Sequence, residues 1–340
     1  MSSDIEDLLG LITGSWKTQA ICVACQLGLP DALARGPQPT RTLADLTGAL
    51  EQHIERLLGG LVSLGLCSRL EDYSWELTDK GRLLSEDHPS SIKQWAIWWG
   101  HYCWPVWGEL HHSVRTGQSG REKLYGTEGF QHLEHYPPAA ACFHGAMSEL
   151  TRLVTASAVR AFDFSSYRTI ADIGGGNGQL IRAILEANPH TQGILFDLPE
   201  TSASMPNKGN PRLEIRTGDF FQSVPEDADL YILKSVLHDW SDHQATKILD
   251  NCRRAMTPSA RLLVIDRIGP DQIEPSPEHQ DFFRSDLHMM VALGGKERTR
   301  SEFEGLLARS GFKVITTGQV GLGLSFLECA PSTSGRAEAT

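Results

Sequence analysis

The sequence lacks several features that define whole classes of protein. It has no apolar run of the roughly 18–20 residues that cross a bilayer, so we expect no membrane-spanning segment and no membrane partner. It also lacks a basic surplus, since 31 Lys and Arg stand against 42 Asp and Glu, and the net charge of −11 disfavours nucleic acid as a partner. Its seven cysteines, from Cys22 to Cys329, are scattered and odd in number, which predicts no disulfide framework and a reducing, cytoplasmic location.

The first part of the chain, residues 1–92, has the pattern of short helices followed by a small hairpin. Residues 42–46 and 52–64 are typical of a helix-turn-helix with Thr42 as a helix cap, and residues 66–77 of a β-wing. This winged-helix pattern has a DNA-binding alternative. However, residues 1–92 hold seven Lys and Arg against thirteen Asp and Glu, the wrong sign for contacting phosphates. We therefore interpret this part as a dimerisation domain.

The middle segment, residues 93–165, is helical in pattern and rich in aromatic residues. Five tryptophans lie within thirteen residues, between Trp95 and Trp107. Two interpretations stay open: ordinary core packing of the rings, and the wall of a pocket for a flat, apolar small molecule.

The last part, residues 166–330, alternates short apolar runs with amphipathic stretches. This pattern predicts a mostly parallel α/β sheet covered by helices on both faces, with ligands at the carboxyl ends of its strands. Strands are expected at 169–173, 193–196, 213–216, 230–233 and 261–265. The polar tail, 331–340, is expected to be disordered.

A glycine-rich loop follows the first of these predicted strands. Gly174 and Gly176 lie in a G-x-G-x-G spacing, which is not the dinucleotide fingerprint G-x-G-x-x-G, and no Walker lysine follows. These features disfavour a nicotinamide dehydrogenase and an ATP site. At the ends of the next two strands lie Asp197 and the pair Asp219 and Phe220, which suit ribose hydroxyls and an adenine ring. The pattern predicts a ligand that contains ribose and adenine.

Four stretches together resemble the class I S-adenosylmethionine-dependent methyltransferases, and more narrowly the plant- and bacterial-type small-molecule O-methyltransferases. They are residues 172–178, 218–221, 233–240 and 294–299. The resemblance covers nearly the whole chain. It implies an N-terminal winged-helix dimerisation domain, a Rossmann-like catalytic domain, a homodimer and a small-molecule substrate. The cofactor residues that it implies are Asp172, Gly174, Gly176, Asp197, Asp219, Phe220 and Lys234.

The same resemblance assigns His238 as the general base that removes a hydroxyl proton, with Asp266 and Glu297 as the acids that orient its ring. Such a histidine, steered by carboxylates, can activate an oxygen for attack on a sulfonium methyl group. The residues are thus consistent with O-methylation of a phenolic or polyketide hydroxyl.

Two departures from the family pattern favour a different acceptor. His288 stands where an aliphatic residue is usual, and Arg121 where many relatives have an aromatic one. With His238 and Asp239, His288 resembles the Fe- or Zn-binding set of a 2-oxo-acid C-methyltransferase branch. That resemblance implies methylation at C3 of a 2-oxo acid such as an arylpyruvate, with Arg121 holding the carboxylate. We expect this reaction, with O-methylation as the alternative. In the plainer interpretation, His288 and Arg121 face solvent and Asp239 is structural.

Overall fold

The computed structural model describes residues 2–127, 129–199 and 210–332. The predicted tail lies, from residue 333 onward, outside the described residues. Contacts divide the chain into two compact units, one made of residues 1–108 and 132–150 and the other of residues 109–131 and 151–340. The domain limits predicted at residues 92 and 165 stay predictions.

The first unit is helical with one small hairpin. Its elements up to residue 108 are α1 (Ser2–Thr13), α2 (Ser15–Gln26), α3 (Leu29–Ala34), α4 (Thr40–Thr47), α5 (Glu51–Ser63), β1 (Cys67–Arg69), β2 (Trp75–Leu77), α6 (Asp79–Arg82), α7 (Lys93–Ile97), a π-helical turn (Trp98–Tyr102) and α8 (Cys103–Trp107). The two strands pair antiparallel, as the predicted wing requires. The predicted cap is wrong: Thr42 lies inside α4, and Pro39 precedes that helix.

The winged-helix elements of this unit share one apolar core. Leu29, Leu43, Ile54, Leu58 and Trp75 are buried together in it. By contrast, α1 leaves apolar side chains in solvent, with Leu11 76% exposed. Among the described residues, one stretch, 3–26, is long and apolar enough to cross a membrane by length and composition alone. Such a single stretch is weak evidence, because core helices and signal sequences pass the same test.

The tryptophan-rich segment packs within the first unit. The rings of Trp98 and Phe143 lie 5.1 Å apart between centroids, and those of Trp95 and Trp99 lie 5.6 Å apart. These contacts agree with the core-packing interpretation. The pocket-wall interpretation stays a prediction.

The second unit is an eight-stranded sheet with helices. Its elements are α9 (Leu110–Thr116), α10 (Gly120–Tyr125), the later part of α11 (Pro137–Ala161), β3 (Thr169–Ile173), α12 (Gln179–Ala187), β4 (Gln192–Asp197), β5 (Leu213–Thr217), β6 (Leu230–Lys234), α13 (Asp242–Ala255), β7 (Arg261–Gly269), α14 (Pro277–Ala292), β8 (Arg298–Thr299), α15 (Arg300–Arg309), β9 (Phe312–Gly321) and β10 (Leu324–Pro331). A single 3₁₀ turn, Leu237–Asp239, follows β6.

The strands of this sheet are mostly parallel, as predicted. The order is β5-β4-β3-β6-β7-β10-β9, with β8 beside β7, and β10 pairs antiparallel with both β7 and β9. Successive residues alternate between two buried clusters: Leu230 and Ile232 join one, while Tyr231 and Leu233 join the other. Burial on both faces is what a helix-covered parallel sheet requires.

The strand order places the site. From β3 the chain moves outward through β4 and β5, and it then returns to β6 on the other side of β3. In open α/β sheets this reversal opens a crevice at the carboxyl ends of the two central strands. The glycine-rich loop leaves β3 at this point, and residues 235–240 leave β6.

Candidate active site

The glycine loop brings bare backbone to the crevice. Gly176 has a φ of 59°, a left-handed conformation that favours glycine, and a Cβ atom built there would meet nothing within 4 Å. The Gly176 N–H donates to Asp197 Oδ2 at 2.8 Å, and Asp197 Oδ1 accepts from the Leu198 N–H at 2.8 Å. A carboxylate fixed in this way at the end of β4 is well placed to accept ribose hydroxyls.

Asp172 lies beneath this loop. It is buried at the end of β3, and no hydrogen-bond partner for its Oδ2 atom lies among the described residues. A Cβ atom at Gly175 would come within 2.6 Å of that oxygen, so a larger residue there would fill the space above the carboxyl group. Burial raises the pKa of Asp172 to about 7, although Lys234 acts against this rise. An unsatisfied buried acceptor below open backbone fits a ligand that carries hydrogen-bond donors.

The loop after β5 supplies an aromatic surface and a second carboxylate. Asp219 Oδ1 accepts from the Phe221 N–H at 2.8 Å, which fixes the turn. The ring of Phe220 lies against the glycine loop, since a Cβ atom at Gly174 would be 3.6 Å from its Cε1 atom. This arrangement is consistent with the predicted adenine site.

Lys234 ends β6 and faces the same crevice. Its Nζ atom lies 3.4 Å from Thr151 Oγ1. Burial lowers the pKa of this ammonium group, and the negative charges of Asp172, Asp266 and Asp239 limit the decrease. The residue after it, Ser235, has a φ of 53°, a left-handed conformation that is strained for a side chain other than glycine. The chain therefore turns sharply out of β6 toward His238.

His238 is the centre of an acidic cluster. Its Nδ1 atom lies 3.0 Å from Glu297 Oε1 and 3.4 Å from Asp266 Oδ1, and its Nε2 atom lies 3.4 Å from Asp239 Oδ1. Ser285 Oγ donates to the same Glu297 oxygen at 2.7 Å. Asp266 comes from β7 and Glu297 from the segment before β8, so the fold brings together the three residues that the family resemblance pairs.

The acidic cluster changes the proton affinity of the ring. Burial by itself would lower the pKa of His238, but the negative charges of Asp266, Glu297 and Asp239 outweigh it and raise that pKa to about 10. Glu297 responds in the opposite direction: burial alone would raise its pKa, and the attraction of His238 holds it below the ordinary value. The ring is therefore a strong base whose Nδ1 side is fixed by carboxylates.

His288 and Arg121 lie on packed elements of the same unit. His288 is 8% exposed on α14 and Arg121 is 3% exposed on α10, a helix that contacts α14. The plainer interpretation, that both face solvent, is wrong for both side chains. Burial, followed by the positive charges of Arg121, Arg284 and His238, lowers the pKa of His288 to about 3. The His288 ring is therefore neutral near pH 7.

The predicted metal set stays a prediction, and a different group of possible ligands lies closest together. Among the described residues, the group of three or more His, Cys, Asp and Glu side chains whose ligand atoms all lie within 4.8 Å of one another consists of His238, Asp266 and Glu297. Asp239 and His288 are outside this group. The three grouped side chains bind one another through the ring nitrogen, and a metal would have to displace that contact.

Arg298 is the site residue that the sequence analysis missed. Its side chain is fully buried, and it binds the backbone on both sides of His238. An arginine in a polar stretch is normally predicted to be exposed. The one sequence signal for Arg298 was its position in the family stretch 294–299.

Comparisons with known proteins match both parts of the chain. The O-methyltransferase domain model matches residues 107–313, and the O-methyltransferase dimerisation domain model matches residues 9–87. A phenazine O-methyltransferase of Lysobacter antibioticus is 38% identical over 331 residues, which cover 95% of each chain. Other relatives include both O- and N-methyltransferases.

Solved structures agree with these matches. The crystal structure of LaPhzM superposes with a TM-score of 0.89 at 38% identity and covers 97% of this chain and 99% of that one. Human N-acetylserotonin methyltransferase in complex with S-adenosylmethionine gives a TM-score of 0.90 at 27% identity, covering 97% and 98%. The chain therefore belongs to the family of S-adenosylmethionine-dependent small-molecule O-methyltransferases with an N-terminal dimerisation domain.

Proposed function

We propose that the enzyme transfers a methyl group from S-adenosylmethionine to the hydroxyl of an aromatic small molecule, with His238 as the general base. The observation that carries this proposal is the contact of His238 Nδ1 with Glu297 Oε1 at 3.0 Å, with Asp266 behind it. These carboxylates hold Nδ1, so we assign the proton to Nε2, which lies 3.4 Å from Asp239 Oδ1. An initial-rate assay with hydroxyphenazines and hydroxybenzoic acids as acceptors tests it.

The cofactor residues proposed from the sequence fit their parts of S-adenosylmethionine. Asp197 and the Gly176 backbone would hold the ribose, Asp219 and Phe220 the adenine, and Asp172 with Lys234 the amino-acid end. Bound there, the cofactor supplies an electrophilic methyl group on a sulfonium. The residues of the chain do the rest: they position the acceptor oxygen and remove its proton.

C-methylation of a 2-oxo acid, which the sequence favoured, receives no support from the comparisons. The relatives named above are O- and N-methyltransferases. We therefore take the O-methyl alternative. Transfer to nitrogen is the second candidate, because some relatives are N-methyltransferases. A neutral amine needs no proton removed before attack, so dependence on His238 distinguishes the two.

The raised pKa of His238 sets the expected pH dependence. Below about 10 the ring is protonated and cannot accept a proton, so kcat/KM for a phenolic acceptor should rise with pH through that range. In Glu297→Gln a negative charge beside the ring is lost, so the pKa falls. We expect the rising limb to move to lower pH by about one to three units. Rate–pH profiles of the two enzymes measure this shift. Identical limbs would contradict the assignment of the base.

Arg121 is proposed to stabilise negative charge on the acceptor. Burial raises the pKa of Asp239 to about 7, and the positive charge of Arg121 opposes this rise. Burial lowers the pKa of His288, and the same charge adds to that decrease. Arg121 is therefore close enough to act on charges beside His238. We expect Arg121→Met to lower kcat/KM for a hydroxybenzoic acid by about 10- to 100-fold. Arg115→Met, at an exposed position on α9, is the control. Equal activity of the Arg121 variant and the control would argue against this role.

We also propose a homodimer in the cytoplasm. The dimerisation-domain match at residues 9–87 and the exposed apolar side chains of α1 support the first part. The cytoplasmic location is supported by the seven cysteines, which are all free and buried.

A further inference from the structure

Arg298 is a fully buried cation in the second unit that the proposed chemistry does not use. It follows Glu297 directly and begins β8. Burying a guanidinium costs several kcal/mol unless its donors are satisfied. Its charged partner, Asp242, is half exposed, and its other acceptors are neutral backbone carbonyls. The main role of the Arg298 side chain is therefore to hold nearby backbone in place rather than to form an ion pair.

The guanidinium spans the turn that carries the base. Arg298 Nη1 donates to the Leu237 carbonyl at 2.7 Å, and Nη2 donates to the Trp240 carbonyl at 2.8 Å. Its Nε atom donates to Asp242 Oδ1 at 2.9 Å, just beyond the turn. The two bound carbonyls flank His238 and Asp239. A planar fork can reach both at once, whereas an ammonium group on a flexible stem has no such fixed geometry.

The residues before Arg298 hold the same turn. The Lys296 N–H donates to the His238 carbonyl at 2.8 Å. A Cβ atom at Gly295 would lie 2.3 Å from that carbonyl oxygen, so the two backbones approach as closely as glycine allows. Glu297, which lies between Lys296 and Arg298 in the sequence, binds the His238 ring itself. One short segment, residues 295–298, thus fixes both the backbone and the ring of His238.

We propose that Arg298 is a positioning residue for the general base: its guanidinium fixes the turn 237–240 so that the His238 ring keeps its contacts with Glu297 and Asp266. This inference rests on the proposed function of His238. A purely structural role would affect stability alone. A positioning role also affects the proton affinity of the ring, because that affinity depends on how closely the carboxylates approach.

The test compares Arg298→Lys with Arg300→Lys. Arg300 is exposed, lies two residues further on and pairs with Glu304, so it is a matched control. Lysine keeps the charge and loses the fork. Above the rising limb of the pH profile, where the His238 ring is unprotonated in both enzymes, we expect kcat of Arg298→Lys to be about 10- to 100-fold lower, with the Kd of S-adenosylmethionine and the KM of the acceptor little changed. The limb itself should move to lower pH together with the pKa of the ring. NMR titration of the His238 ring, assigned from the His238→Ala spectrum, should show its pKa falling from about 10 toward 6.5.

A folded Arg298→Lys enzyme with unchanged kcat and unchanged ring titration would overturn the proposal. Should this variant not fold, Asp242→Asn keeps Arg298 and removes its charged partner. We expect smaller decreases in kcat and in the pKa of the His238 ring. If neither decreases, the proposal is also overturned. The ring titration needs no acceptor. Lack of turnover by the unmodified enzyme therefore counts against the proposed function, separately from the positioning of His238.

Discussion

His238→Ala is expected to lower kcat for a hydroxyphenazine by about 100- to 10,000-fold, the usual contribution of a general base. The variant loses the ring that contacts Glu297, Asp266 and Asp239. Binding of S-adenosylmethionine should be retained, because the glycine loop and Asp197 stay in place. Steady-state rates at saturating cofactor, with cofactor affinity from calorimetry, measure both quantities.

The control for this variant is His243→Ala. His243 is exposed on α13, five residues further along the chain, and it takes no part in the acidic cluster. A loss of less than about threefold in His238→Ala with a phenolic acceptor would rule out general-base catalysis there. Retention of activity with an amine acceptor alone would instead favour transfer to nitrogen.

Asp197→Ala should weaken binding of S-adenosylmethionine by about 100-fold. A carboxylate that accepts from ribose hydroxyls makes charge-assisted hydrogen bonds, each of which contributes about 1.5–3 kcal/mol. The variant also removes the partner of the Gly176 N–H, so the loop loses an anchor. Calorimetric titration with the cofactor measures the loss. At saturating cofactor, kcat should change little, because the acidic cluster around His238 is intact.

Asp163→Asn provides the matched comparison for the cofactor site. Asp163 is an exposed carboxylate that caps its own turn through Ser165. Its replacement should leave cofactor affinity unchanged. If Asp197→Ala bound the cofactor within about threefold of the unmodified enzyme, the ribose assignment would be wrong.

Much of the sheet could be predicted from the sequence. The runs at 169–173 and 230–233 are apolar because both faces of a parallel strand are covered, and such runs are the clearest strand signal. The strands β9 and β10 were missed. In β9, exposed residues such as Thr316 and Thr317 interrupt the pattern, as expected for a strand at the edge of the sheet.

The candidate site, like the sheet, was predicted only in part from the sequence. His238, Asp266 and Glu297 were predicted together because the family resemblance assigns a role to all three. The metal set of His238, Asp239 and His288 stays a prediction. Among the described residues, the group of three possible ligands that lie within 4.8 Å of one another is instead His238, Asp266 and Glu297. Arg298 was missed because burial of a charged side chain depends on contacts that are distant in the chain.

The short separation of Lys234 and His238 along the chain limits how such an enzyme can be redesigned. Three residues, the first of them Ser235 with its strained backbone, link the lysine on the cofactor side to the proposed base. An insertion or a proline there would disturb donor binding and proton removal in a single step. Laboratory evolution toward new acceptors should therefore leave residues 234–240 unchanged and diversify α9 and α10, where Arg121 lies.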